Sequence, residues 1–413
     1  MPLPDGALPT GHPPTGSVAG SAGGVLVSVT AAAGFVAAGV HCGIKAGGVP
    51  DLALVATDDA SPVSAAAVFT SNLATAAPVL VSRAHLGATW GRAAAVVLNS
   101  GNANAATGKP GHDDAERMCA LVAGELCCAV EEVLVCSTGL IGIPLPMTAI
   151  EKGVKPLVRG RSPDGGGDAA EAIRTTDTHR KEVVVRGHGF TVGGMAKGAA
   201  MLAPDMATML AVLTTDAACD PSTLRAALVD AMDESFNSLS VDGCTSTNDT
   251  VIILAGGRAG PASADSLRDA VARACRDLAE QMAGDAEGAT RVVRVRVKGA
   301  QSVDDARRAA RKVAESQLVK CSLFGADPYW GRVMSELGSA GVGFDPERAS
   351  VAYGDTVVAS EGVAVDHDAA AVRGHLAGRH VEIVAHLGMG DAEASMLTND
   401  LTPAYIDENM RTS

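Results

Sequence analysis

The sequence predicts a layered α/β fold of the α+β kind, and three observations carry that prediction. First, short Val- and Ala-rich runs recur along the chain, each bounded by Gly, Asn, Asp or Pro, which is how strands are punctuated. Second, stretches with apolar residues at helical spacing fall between those runs. Third, the two kinds of segment intermix without the regular period of about 30 residues that a repeated βαβ unit would show. There is also no internal repeat. A doubly wound sheet and a solenoid are therefore both disfavoured, and stacked layers remain.

The expected strands are LVSVTA, DLALVAT, AAVFT, APVLVS, AAAVVLNS and EEVLVCS. The helices can be justified one by one. DDAERMCALVAGEL, residues 113–126, presents Met118, Leu121, Val122 and Leu126 on one stripe. Asp220-Pro221-Ser222 reads as a helix start, with Leu224, Ala227, Leu228 and Met232 following at helical spacing. Leu267, Val271, Cys275, Leu278 and Met282 form the clearest amphipathic helix. Ser302 is placed to cap another, SVDDARRAARKVAES. Between elements, SPDGGGDA at 162–169 reads as an internal loop.

Composition narrows the function classes. The 413 residues can bury a large core; they are 47% hydrophobic, 19% charged and only 3% aromatic, with a formal net charge of −14. Few aromatics leave little surface for stacking bases, and an acidic chain lacks the basic footprint that phosphate backbones need. Nucleic acid is excluded as the expected partner. The nine cysteines are odd in number, scattered and without a C-x-x-C pair, which reads as buried thiols in a reducing cytoplasm. Residues 6–44 carry no Asp, Glu, Lys or Arg, yet the apolar part lacks the basic start of a signal peptide and the length and hydropathy of a membrane helix. Residues 1–22, rich in Pro and Gly, are expected to form a flexible extension, and the protein to be cytoplasmic.

Several familiar catalytic signatures are absent: no phosphate loop, no dinucleotide-binding glycine pattern, no H-E-x-x-H and no G-x-S-x-G. The ten histidines are scattered and give poor support to a histidine-based triad. Attention falls instead on GGMAKGAAMLAPDMATML, where Thr208 sits among small and apolar residues. The plain reading is a buried turn entering a strand. The alternative is an N-terminal nucleophile. If the Ala207–Thr208 bond is cut, the freed α-amine lies beside its own hydroxyl, and its ordinary pKa of about 7.7–8.0 leaves a useful neutral fraction near neutrality. Two further stretches stand out. In VLVCSTGLIG a strand runs into Ser137-Thr138-Gly139, a turn that can expose backbone N–H groups beside a hydroxyl. In VVLNSGNANAATG a strand opens into an Asn/Gly loop that either turns the chain or meets a ligand.

Taken together, the blocks GFVAAGVHCGIK, VFTSN, NSGNANAATG, CSTGLIG, TTDTHRK, GGMAKGAAMLAPDMATML, DGCTSTNDT, GDAEGA, GADPYWGRV and TNDLT resemble the ornithine acetyltransferase family, in order and from residue 34 onward. The resemblance implies a layered α/β sandwich reminiscent of N-terminal-nucleophile hydrolases. It implies self-cleavage between Ala207 and Thr208 into pieces 1–207 (folded from about residue 23) and 208–413, which remain associated, typically as an α2β2 unit. It implies transfer of an acetyl group from N2-acetylornithine to glutamate, within arginine biosynthesis and without a cofactor; some members also take acetyl-CoA. Carried over position by position, Thr208 is the nucleophile, and Thr138 with Gly139 forms the oxyanion hole. Lys197 and Glu287 bind substrate, with Thr175 or Thr176, Asn409 and the terminal Thr412 or Ser413.

The sequence departs from the family pattern at Ala106, where Cys is usual, at Ala200 for Gly and at Tyr329 for Asn; the ending NMRTS lacks the usual Tyr. None of these touches the expected nucleophile or oxyanion positions. Two other readings are carried forward: an amidase, aminopeptidase or related acyltransferase of a specialised pathway, and a non-catalytic paralogue that keeps the fold.

Overall fold

The computed structural model describes residues 28–203 and 209–410. The segment 1–22 expected to be flexible lies outside them. In chain order, β1 (Phe35–Val40), β2 (Leu52–Thr57) and β3 (Val63–Phe69) precede helix α1 (Ala77–Ala88). Strands β4 (Arg92–Ala93) and β5 (Ala95–Asn102) lead to α2 (Gly108–Leu126) and β6 (Val133–Leu140). Helices α3 (Met147–Gly160) and α4 (Gly166–Ala172) come before the hairpin of β7 (Lys181–Arg186) and β8 (Thr191–Lys197). Then follow β9 (Leu210–Ala218), α5 (Pro221–Asp233), β10 (Thr250–Pro261) and α6 (Ala264–Gly284). The remainder begins with β11 (Val292–Ala300), α7 (Val303–Ala314), α8 (Gln317–Phe324) and α9 (Gly331–Gly338). It closes with β12 (Ser350–Tyr353), β13 (Thr356–Ser360), β14 (Val363–Ala364), α10 (Ala369–Ala377), β15 (His380–His386), β16 (Ala392–Asn399) and α11 (Pro403–Asn409).

Three sheets organise these elements. The first runs β1-β2-β5-β6, the second β4-β3-β10-β9-β8-β7, and the third β14-β13-β12-β15-β11-β16. The first two lie face to face. Phe35, Val55, Leu98 and Leu134 from one meet Met195, Val212, Ile252 and Leu254 from the other in a single buried cluster. The outer face of the first sheet is covered by α1, α2 and α3 through Val81, Met118, Val122, Ile150 and Leu157. The outer face of the second is covered by α5 and α6 through Leu224, Leu228, Leu267 and Leu278. The result is a four-layer helix–sheet–sheet–helix sandwich. Strands buried on both faces explain why the runs read as continuous Val/Ala/Leu rather than alternating. The third sheet has its own core with α7 to α10. Among the described residues, no helix is long and apolar enough to cross a membrane.

Helix starts follow local chemistry. The Asp220 carboxylate accepts the N–H groups of Ser222 and Thr223, and Ser302 Oγ accepts that of Asp305, as N-caps do. The stripe of α6 is fully buried, each such leucine contributing about 1.5–3 kcal/mol.

Three expectations are corrected. APVLVS is the first turns of α1, not a strand. Pro78 stands in the first turn, and Pro78, Val81, Ser82 and His85 share a buried face at helical spacing. The described part of LVSVTA, residues 28–31, is a turn closed by the Ala31 N–H on Ser28 O. SPDGGGDA is only half a loop, because α4 starts within it. Its glycines serve close packing: a Cβ on Gly165 would fall 1.9 Å from Ala37 O, and Ser162 bridges to Ala37.

Candidate active site

Where β9 and β10 enter the second sheet, their first residues lie side by side: Thr250 is the partner of Leu210, and the Thr250 N–H donates to Met209 O. Ala207 and Thr208 lie outside the described residues, as do Thr412 and Ser413. Met209, bonded to Thr208, donates its N–H to Asp249 Oδ1 at 2.9 Å. Asp249 is fully buried. Burial pushes its carboxyl well above the usual range, against the opposing pull of the Met209 N–H and the Lys197 charge.

Thr138 and Gly139 lie just before the end of β6, paired in parallel with Ser100 and Gly101 of β5. The register breaks at Asn102, which faces both Thr138 and Leu140. Gly139 has φ +132°, and a Cβ there would fall 2.3 Å from the Gly101 carbonyl carbon. Two glycines thus let the strand ends approach where the ladder changes register. Asn248 fastens this corner to the β10 entry. Its buried Nδ2 donates to Ser137 O at 2.9 Å and to Ala103 O at 2.6 Å.

Lys197 closes β8 and is the register partner of Leu210, so it flanks the same strand entry. It is buried, 3% exposed. Burial lowers its pKa; Asp177 opposes the shift and the Lys181 charge adds to it. Glu287 is also buried and donates its N–H to Ala199 O at 3.0 Å, two residues beyond Lys197. Its Oε2 accepts from Asn409 Nδ2 at 2.7 Å. A buried lysine and a buried glutamate are therefore carried by segments whose backbones are hydrogen-bonded. Thr175 donates its N–H to Asp177 Oδ2, which also faces Lys197 Nζ at 4.0 Å; Thr176 is exposed. The structure brings together Lys197, Glu287, Asn409 and the Thr175 turn, and joins Thr138–Gly139 to the β10 entry through Asn248.

Sequence reasoning missed the residues that hold these groups: Asp177, Lys181, Asn248, Asp249 and Asp285. All five stand inside blocks already quoted, TTDTHRK, DGCTSTNDT and GDAEGA. The available signal was a charged or amide residue inside each of these blocks. Asp177 is held below the usual carboxylate range: burial alone would raise it, but Lys197 and Lys181 lower it further.

The model of the ArgJ family matches residues 36–412. The arginine biosynthesis bifunctional protein ArgJ of Mycolicibacterium paratuberculosis is 48% identical over 391 residues, covering 92% of this chain and 95% of its own length. The protein of the same name from Streptomyces coelicolor is 47% identical over 385 residues, covering 93% and 99%. Among solved structures, ornithine acetyltransferase of Mycobacterium tuberculosis, complexed with ornithine, is 48% identical with a TM-score of 0.41, covering 43% of this chain and 95% of that one.

Proposed function

This chain belongs to the ArgJ family, and we propose that it transfers the acetyl group of N2-acetylornithine to glutamate through an acetyl-Thr208 intermediate, after cutting its own backbone at Ala207–Thr208. The Thr208 hydroxyl attacks the acetyl carbonyl while its own α-amine takes the proton. Negative charge develops on the carbonyl oxygen and is met at the Thr138–Gly139 corner. The same amine hands the proton to the departing nitrogen of ornithine. Glutamate then attacks the ester with its amine, and the hydroxyl is restored. Lys197 offers the cation for a substrate carboxylate and Glu287 the acceptor for an amino group. Thr175, on the carboxylate that also faces Lys197, is a better partner than the exposed Thr176.

The single observation that supports this reading best is that Lys197 and Glu287 are both buried, with the Glu287 backbone hydrogen-bonded to Ala199, two residues beyond Lys197 at the β9 entry. Two opposite charges withheld from water are costly unless a ligand or partner uses them, and a zwitterionic amino acid complements both. The pieces 1–207 and 208–413 are expected to stay together, because the second sheet interleaves strands from both: β8 pairs with β9, and β3 with β10. An α2β2 assembly follows if two such units associate, which sedimentation would test.

Denaturing electrophoresis should show two similar bands for the active protein and one for Thr208→Ala, with transfer reduced by at least about 10³-fold. Fully active material that remains one band ends the proposal. Ornithine release that proceeds equally with and without glutamate would reassign the site to an amidase. An acetyl-CoA arm of the same assay tests a second donor.

A further inference from the structure

Asp177 accepts three hydrogen bonds and faces a fourth donor, Lys197, from beyond hydrogen-bond reach. Its Oδ1 accepts Lys181 Nζ at 2.6 Å and the Gly198 N–H at 2.7 Å. Its Oδ2 accepts the Thr175 N–H at 3.1 Å and leaves Lys197 Nζ at 4.0 Å, beyond hydrogen-bond reach. Lys181 is wholly buried, and its ammonium also donates to Asp285 Oδ2 at 2.5 Å. Asp285 in turn takes the Thr178 N–H at 3.0 Å and the Thr178 hydroxyl, and it stands two residues before Glu287. One buried lysine thus joins a segment before residue 207 to a segment after 208.

We propose that Lys181 is a positioning residue for the transfer reaction: by occupying Asp177 it keeps the Lys197 ammonium available to a substrate carboxylate. This rests on the reading above that Lys197 meets that carboxylate. The physical reason is competition for charge. An ionised carboxylate inside the protein demands a cation, and a buried pair broken by removing one partner leaves a charge that must be compensated. With Lys181 gone, the nearest remaining ammonium is that of Lys197. About 1 Å of movement would make it a hydrogen-bonded pair with Asp177 Oδ2, within the freedom of a flexible four-carbon stem. The substrate would then compete with Asp177 for its own cation. A lysine that merely braced the fold would act otherwise, lowering stability and the active fraction without changing affinity.

The test uses the full-length chain. Lys181→Met is compared with wild type in acetyl transfer from N-acetylornithine to glutamate, and in calorimetric binding of N-acetylglutamate. The expected result is a ten- to hundredfold rise in KM and Kd, with kcat within about threefold. The double variant Lys181→Met/Asp177→Asn removes the competing carboxylate and should return Kd to within about fivefold of wild type. If Lys181→Met alone does not give soluble protein, Lys181→Gln is measured in its place, with the same rise in KM and Kd expected. A double variant weaker than wild type by more than tenfold, or a single variant whose KM and Kd stay within about threefold of wild type, overturns the proposal. Wild-type protein that neither transfers acetyl nor binds N-acetylglutamate overturns the reading of the site itself, and does so before any variant is compared.

Discussion

The two halves of the proposed site are built by opposite means. At Thr138–Gly139 the working geometry is backbone: a parallel register that fails at Asn102, and a glycine at φ +132° pressed on its neighbour strand. Around Lys197 and Glu287 it is side chains: Asp177, Lys181 and Asp285 are linked in a row beside Lys197, and Asn409 is hydrogen-bonded to Glu287. The difference teaches how each half fails. Backbone geometry is lost by sterics and is indifferent to pH and salt. A buried charge network tolerates small shape changes but answers to every change in protonation or partner.

The largest effect should come from breaking the backbone half. Gly139→Ala forces a Cβ to 2.3 Å from the Gly101 carbonyl carbon in a conformation that side chains rarely adopt. We expect at least about a 10³-fold loss in kcat, equivalent to about 4 kcal/mol of barrier, and a lowered Tm. Activity within tenfold of wild type would show that this corner does not hold the reacting oxygen.

A smaller, graded effect should mark the charged half. The Lys197 pKa is lowered, chiefly by burial, so its ammonium is lost as pH rises through a value below about 10.4. Binding of N-acetylglutamate, which has no amine of its own, should therefore weaken on the alkaline side. Affinity should fall about tenfold per pH unit beyond that lowered pKa. Calorimetry across pH 7–11 checks it; affinity flat through pH 11 removes Lys197 from carboxylate binding.

The smallest effect belongs to the rim. Asn409 is exposed at the end of α11 and gives Glu287 one hydrogen bond. Asn409→Ala should cost about 0.5–1.5 kcal/mol, a few-fold rise in KM with kcat kept. A rise beyond a hundredfold would move Asn409 from the rim to the centre of recognition.

Much of this arrangement was legible beforehand. The strand into Thr138–Gly139 and helices α2, α5, α6 and α7 follow from spacing, caps and turn residues, although α2 begins at Gly108 rather than Asp113. The resemblance marked Lys197, Glu287 and Asn409, which the fold then gathers. APVLVS misled because a short Val-rich run reads alike in a strand and in a helix buried on one face, until the proline and the i, i+3, i+4 burial are weighed together. Lys181 stayed silent for another reason: a lysine beside Arg180 reads as surface, and nothing local reports two carboxylates, one of them 104 residues away.

What the amino-acid order determined on its own is which reactive groups are present and in what local setting: a threonine after alanine and a hydroxyl beside glycine at a strand end. These properties are local, set by a few consecutive residues. Which charges survive burial, and which partner holds each, only the packed layers decided. Coulomb interactions depend on distance and on exclusion of water, and both come into being when β8, β9 and the segment before Glu287 are laid side by side.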